Sequence, residues 1–317
     1  MADPAPLFAT PSAPVPTGGA AEWFVGAGGA RLRAAWFAPV GPASGSVVIS
    51  PGRTEPIEKY FEVVERLTAR GFVVLVHDWR GHGLSFRPSG DQRGHAAGYR
   101  DFVTDYAALI GHFETRLPGP WIALGHSMGG CLTLLALALG ESRFAGAILS
   151  APMLGLQTGA IPRPVGALLA RVLTLLGMGT RLASQAPAAV ETFEANVLTH
   201  DPVRYQRNNE QIAAHPELAV GPPTWGWLDF AFRAIEVLES GPGAPRIATP
   251  LSVLAAGEER LVDNAGLARV TARVPGAGFQ IVHGAYHEIL QETDAIQAHF
   301  WNAFDDLATR IGADRVV

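Results

Sequence analysis

Short apolar runs alternate along this chain with stretches whose apolar residues recur at helical spacing. Residues 23–25, 31–37 and 46–50 are strand-like and bounded by Gly and Pro turns. Within 57–70, Tyr60, Phe61, Val64 and Leu67 share one helical face, and Gly71 stops the helix. Residues 72–76 are apolar throughout, the pattern of a strand buried on both faces. A helix over 99–117 follows, then a strand over 121–124 that runs into a helix over 131–139, then a strand over 145–150. This alternation predicts a doubly wound, mostly parallel sheet with helices on both faces.

The alternation breaks after Pro152. Residues 153–245 contain helical stretches and no convincing buried strand. Strands resume at 250–255 and 278–282, and a long helix near 288–309 follows. The expected architecture is an eight-stranded α/β sheet built from 21–152 and 246–317, with 153–245 inserted as a helical cap between the sixth and seventh strands. Residues 1–20, rich in Pro, Ala and Gly, read as a mobile tail that lacks the basic start and apolar core of a signal peptide. No apolar run reaches the ~18 residues of a membrane span. The expected location is the cytoplasm, with or without peripheral contact at the inner membrane.

Composition narrows the function more than the fold. Among 317 residues, 48% are hydrophobic and 17% charged, with a net charge of -5 that gives no reason to expect a nucleic-acid partner. The single cysteine, Cys131, excludes an internal disulfide and reads as a small buried residue on a helix. No Cys/His cluster has metal-ligand spacing, so neither a metal nor another cofactor is expected. Oligomeric state is left open.

The chemistry centres on Trp121-Ile-Ala-Leu-Gly-His-Ser-Met-Gly-Gly130, a strand, a tight turn and a helix that fit the G-x-S-x-G nucleophile elbow. The turn strains the residue at its apex, and glycines at 125 and 129 remove Cβ atoms that would clash. Ser127 is thereby presented at the carboxyl end of the sheet. A serine hydroxyl needs a neighbouring base, and the base needs a carboxylate to fix its tautomer. In this architecture the acid and the His come from loops after late strands, in that order.

Asp263 is the expected acid, in the loop 257–263, and His287 the expected base, in the loop 283–287. Glu258 and Glu259, earlier in the acid loop, read as exposed loop charges. His283 ends its strand and reads as buried, and His126 is expected to point away from the nucleophile and pack. His77, Asp78 and His82 read as an internal hydrogen-bond and ion-pair network. The oxyanion formed on attack needs donors, for which the backbone N–H groups of Met128 and Arg53 are placed. The Arg53 side chain faces either the polar end of a substrate or a salt-bridge partner.

The chain resembles the α/β-hydrolase superfamily, and within it the bacterial lysophospholipases related to monoglyceride lipases. The carrying segments include Ser50-Pro-Gly-Arg-Thr-Glu-Pro-Ile-Glu-Lys-Tyr60, Asp78-Trp-Arg-Gly-His-Gly-Leu-Ser85, Gly125-His-Ser-Met-Gly-Gly130, Asn196-Val-Leu-Thr-His-Asp201, Pro223-Thr-Trp-Gly-Trp227 and Gly284-Ala-Tyr-His-Glu-Ile-Leu290. The resemblance implies a triad at Ser127, Asp263 and His287, oxyanion donors at Arg53 and Met128, and hydrolysis of carboxylic esters of single-chain lipids without a cofactor. A general carboxylesterase, a peptidase or an acyltransferase on the same triad is the alternative. A binding module without catalysis is disfavoured because all three triad positions are filled.

Two cap segments bear on the substrate. In 163–182, Val165, Leu168, Leu169, Val172, Leu173 and Leu176 share one face, with Arg163, Arg171 and Arg181 opposite. That face suits a membrane surface or an acyl tunnel, although packing on the main domain is the ordinary reading. Gly177 and Gly179 should end or loosen this helix. The aromatic run 224–232 either packs within the cap or lines the acyl pocket through Trp227 and Phe232.

Overall fold

The computed structural model describes residues 3–184 and 192–313, so the first two residues of the expected tail and residues 185–191 of the expected cap lie outside it. In chain order the elements are β1 (Asp3–Pro4), β2 (Gly19–Val25), β3 (Arg31–Phe37), β4 (Gly45–Ser50), α1 (Phe61–Thr68), β5 (Phe72–His77), α2 (Tyr99–Phe113), β6 (Trp121–His126), α3 (Ser127–Ala138) and β7 (Gly146–Ser150). Then come α4 (Arg163–Leu173), α5 (Pro202–Ala214), α6 (Trp225–Ser240), β8 (Leu251–Ala256), α7 (Asn264–Thr271), β9 (Gly278–Val282) and α8 (Asp294–Arg310).

The strands form one nine-stranded sheet in the order β1-β2-β3-β5-β4-β6-β7-β8-β9. β1, β2, β3 and β5 pair antiparallel, and every pair from β5 across to β9 is parallel. The central strands β4, β5, β6 and β7 are buried along their whole length, as their largely apolar sequence requires, with Ser50, His77, His126 and Ser150 at their carboxyl ends. Side chains from α2, α3, α6 and α7 fill the core on one face. Those of α1 and α8 fill the other. Among the described residues no helix is long and apolar enough to cross a membrane.

The structure adds a strand and anchors the expected tail. β1 pairs with the open side of β2, and the Ala5 N–H donates to Ala21 O. The Phe8 ring stacks on His215 at 4.2 Å, and Ser12 donates to Glu210 at 2.7 Å. Pro and Ala carry no periodic signal, so these backbone and stacking contacts have no signature in the local sequence.

Between β7 and β8 the chain is helical, but it is not set apart as a separate cap. Phe230, Ala234, Ile235 and Leu238 of α6 are fully buried in the same core as α2 and α3, and Phe230 stacks on Phe102 at 4.8 Å. α5 lies toward α1: Gln211 donates to the Glu58 carbonyl at 2.9 Å, and Arg204 binds Glu62. α4 packs beside α6 through an Arg163–Glu239 ion pair at 2.7 Å. Its apolar face turns outward instead of onto the sheet domain, with Val165 54% and Leu168 64% exposed. The helix ends in a wider turn over Thr174–Met178, where Gly177 takes φ +79°.

Candidate active site

Ser127 stands at the junction of β6 and α3 with φ +49°, a left-handed conformation that a non-glycine residue adopts at a cost. The two flanking glycines are sterically required. A Cβ at Gly129 would lie 2.0 Å from the Ser50 carbonyl oxygen, and one at Gly125 would lie 2.7 Å from Gly130 Cα. The end of β4 beside Gly129 and the first turn of α3 against Gly125 therefore dictate the glycines of the elbow.

The His287 Nε2 atom lies 2.9 Å from Ser127 Oγ, and its Nδ1 atom lies 2.7 Å from Glu259 Oε2. An ionised carboxylate only accepts hydrogen bonds, so Nδ1 carries the proton and Nε2 presents its lone pair to the hydroxyl. Glu259 is fixed in turn: its Oε1 accepts the backbone N–H groups of Arg260, Leu261 and Val262 at 2.9, 2.7 and 3.2 Å. Burial pushes the Glu259 carboxyl up, but the hydrogen bond from His287 and those from the backbone outweigh it and hold the group below its ordinary value.

Glu259 thus stands where Asp263 was expected. Asp263 instead caps α7, accepting the N–H groups of Ala265 and Gly266 at 3.0 Å each. The signal was available in the sequence. Asp followed by Asn-Ala-Gly-Leu-Ala-Arg-Val reads as a helix N-cap. Glu259 sits close to the end of β8 at Ala256, where a short loop brings a side chain to the sheet edge. Glu258 is exposed as expected, whereas the Glu259 side chain is only 2% exposed. His283 is exposed, not buried.

A cavity of about 320 Å³ opens beside Ser127. Met128, Met153, Leu156, Leu198 and Trp227 give it an apolar wall, and Arg53 lies on its polar side. Met128 is in the first turn of α3, where backbone N–H groups have no helical partner. Phe232 does not reach this cavity. It lines a neighbouring apolar pocket with Ile161, Leu169 and Leu228, and Leu156 is common to both.

Behind the triad lies a buried ionic cluster that the sequence did not disclose. The Lys59 ammonium contacts Glu55 Oε1 at 2.8 Å and Glu288 Oε1 at 2.5 Å. Glu55 Oε2 accepts the Gly52 N–H at 2.5 Å and the Tyr60 hydroxyl at 2.6 Å. Burial pushes the Glu55 carboxyl up, but Lys59 and His126 dominate and bring it down to about 2. The ligand atoms of Glu55, His126 and Glu288 lie within 4.8 Å of one another, close enough to hold a metal ion, but Lys59 already supplies the positive charge to both carboxylates. His126 packs as expected but does not point away: it lines the Ser127 cavity, its Nδ1 lies 3.1 Å from Ser150 O, and its ring lies 5.0 Å from that of His287. The cluster joins the Gly52–Arg53 loop to the segment carrying His287.

His77, Asp78 and His82 lie in a structural network. Asp78 accepts from Arg33 at 2.7 Å and from the Ile57 and Leu84 N–H groups, and Arg33 also binds Glu58 at 2.8 Å. His77 packs edge-on against Trp79, and Trp79 Nε1 holds the Pro51 carbonyl at 2.8 Å. Burial depresses His77 to about 3 and His82 to about 4, so both are neutral. Cys131 is buried, and burial pushes its thiol up to about 12.

A family model described as serine aminopeptidase, S33 matches residues 41–294. Lysophospholipase L2 of Escherichia coli strain K12 is 35% identical over 280 residues, covering 83% of this chain and 80% of that protein. Monoacylglycerol lipase of Mycolicibacterium smegmatis is 30% identical over 276 residues, covering 86% and 91%. Among solved structures, a soluble variant of monoglyceride lipase from Saccharomyces cerevisiae superimposes with TM-score 0.74 at 16% identity, covering 97% of this chain and 99% of that one. The monoacylglycerol lipase of Paleococcus ferrophilus gives 0.69 at 22% identity, covering 88% and 98%. These likenesses in structure carry the fold, which is the α/β-hydrolase fold.

Proposed function

The chain belongs to the serine aminopeptidase S33 family of α/β-hydrolases, and from that premise we propose that it hydrolyses single-chain lipid esters through Ser127, His287 and Glu259. The observation that carries this reading is the continuous hydrogen-bonded series from Ser127 Oγ through His287 to Glu259, opening on a cavity with an apolar wall. Ser127 Oγ attacks the acyl carbonyl carbon as His287 Nε2 takes its proton. Glu259 stabilises the imidazolium, and the N–H groups of Met128 and Arg53 receive the oxyanion. Collapse of the tetrahedral intermediate breaks the carbonyl–alkoxy bond, and the alcohol leaves with the proton from His287. Water, deprotonated by the same nitrogen, then releases the fatty acid and restores the serine. General-base assistance supplies about 10²–10⁴-fold, and each oxyanion donor about 10²–10³-fold.

An aminopeptidase needs a free carboxylate for the substrate's ammonium group. The carboxylates lining the cavity are Glu55 and Glu288, and both are engaged by Lys59. This favours an ester over a peptide with a free amino terminus.

The outward apolar face of α4 and of the turn that follows it supports a second element of the proposal, peripheral docking on a lipid surface. Val165, Leu168, Leu175 and Leu176 are exposed together, while Arg163 and Arg171 point back to Glu239 and Asp229 of α6. Such a surface lets a water-insoluble substrate pass from the membrane to Ser127.

The test is labelling by a fluorophosphonate probe together with a panel of p-nitrophenyl esters, monoacylglycerol, lysophospholipid and amino-acid amides. Wild-type protein should label and turn over the lipid esters, and Ser127→Ala should do neither. Turnover surviving in that variant would overturn the assignment.

A further inference from the structure

Arg53 is a half-buried cation without a counter-charge among the described residues. Its guanidinium donates from Nη2 to the Gly221 carbonyl and lies 5.3 Å from the Trp227 ring centroid. No carboxylate is within ion-pair distance of it among the described residues, and its Nε has no hydrogen-bond partner there. Burial alone lowers its pKa, to about 10, with no acidic neighbour opposing the shift, and it remains charged at neutral pH. Trp227 Nε1 is also buried without a partner. Both residues line the Ser127 cavity.

The buried guanidinium groups of the described residues, by contrast, are matched. Arg33 meets Glu58 and Asp78, and Arg80 meets Asp105. A charge left uncompensated in such a place is expensive unless something else supplies the partner. Arg53 and Trp227 line one cavity and each carries an unsatisfied N–H, a pair that an acceptor-rich anion would satisfy. The chain's net charge of -5 means that attraction for an anion must be local. Guanidinium suits phosphate oxygens in particular, because its planar fork can donate two hydrogen bonds to them.

We propose that Arg53, with Trp227 beside it, binds the phosphate of a lysophospholipid headgroup while Ser127 attacks the acyl ester. The inference rests on the serine-hydrolase reading above and narrows it. It makes Arg53 the residue that separates a phosphate-bearing single-chain lipid from a neutral monoacylglycerol.

The experiment compares kcat/KM of wild type, Arg53→Gln and Arg53→Lys on 1-oleoyl-lysophosphatidylglycerol and on 1-monooleoylglycerol, each below its aggregation concentration. Arg53→Gln should lose about 10- to 100-fold more on the phospholipid than on the neutral ester, chiefly through KM, and Arg53→Lys should recover part of it. The ratio between substrates cancels any loss shared by both, whether from impaired folding or from a disturbed oxyanion backbone. Equal proportional losses on the two lipids would overturn the inference. Ser127→Ala in the same assays tests the parent reading separately. Activity remaining there removes the serine mechanism, and its loss alongside equal Arg53→Gln effects removes the headgroup inference alone.

Discussion

Glu259 is bonded to His287 at 2.7 Å, while Asp263, further along the same loop, faces the amino terminus of α7. The two acids should therefore respond oppositely to mutation. Glu259→Ala should lower kcat by about 10³–10⁴-fold with the fold intact, because the imidazole loses its tautomer and its counter-charge. Asp263→Ala should leave kcat close to wild type and cost about 0.5–2 kcal/mol of stability through the lost cap. Steady-state kinetics beside denaturant unfolding separates the two. The reverse pattern would return the acid role to Asp263.

What could and could not be read from the sequence follows from the range of each interaction. The elbow was legible because its constraint is local: a strained apex needs glycine on both sides of Ser127. The buried central strands were legible because burial on both faces removes polar positions from 72–76. Loop position alone does not separate Glu259 from Asp263 as the acid; only the capping pattern that commits Asp263 to α7 does, and it is a weaker signal than the elbow. The Lys59 cluster joins positions far apart in sequence, Glu55 and Glu288, and neither carries a local sign of the other. Phe232 and Trp227 lie on the same helix, yet only Trp227 lines the Ser127 cavity, because helical phase turns them to different walls.

The Lys59 cluster should matter for both stability and rate. Lys59→Met leaves Glu55 and Glu288 buried without their cation, a change that costs about 3–5 kcal/mol. It also loosens Glu55, which holds the Gly52 N–H beside the expected oxyanion donor Arg53. Combining Lys59→Met with Glu288→Gln should restore part of the stability. Urea unfolding and kcat on a p-nitrophenyl ester check both effects. An unchanged unfolding midpoint in Lys59→Met would contradict the role given to the cluster.

Trp227 forms part of the apolar wall beside Ser127. Trp227→Ala should reduce kcat/KM on long-chain p-nitrophenyl esters about tenfold more than on the butyrate, because only a long chain uses that wall. Phe232→Ala, acting in the adjoining pocket, should show a smaller chain-length effect. Equal losses on long and short esters in Trp227→Ala would count against an acyl-binding role.

Glu62 gives a pH dependence of defined sign. Burial pushes its carboxyl up, but hydrogen bonds from Arg204 and Arg207 outweigh this and bring it down to about 2. A carboxylate with a depressed folded value stabilises the protein above its unfolded value of about 4.3, and that contribution is lost as pH falls toward the folded one. Glu62→Gln should therefore be less stable than wild type at neutral pH, and the gap should close between about pH 4.3 and pH 2. Urea midpoints across that range are the measurement. A gap that persists undiminished at pH 2 would show that the ion pairs from α5 to α1 are not its source.

The outer face of α4 and of the turn after it should govern lipid binding without governing the chemistry. Leu168, Leu175 and Leu176 are 64%, 71% and 69% exposed, an arrangement that water disfavours and a lipid surface satisfies. Replacing all three by Ser removes enough apolar area to weaken vesicle association by about 10²-fold or more, at ~25 cal/mol per Å² buried. Cosedimentation with phosphatidylglycerol–phosphatidylethanolamine vesicles measures that loss. Turnover of soluble p-nitrophenyl butyrate should stay near wild type, since the substituted side chains are outside the Ser127 cavity. Undiminished vesicle binding in the triple variant would mean that the exposed leucines serve some surface other than lipid.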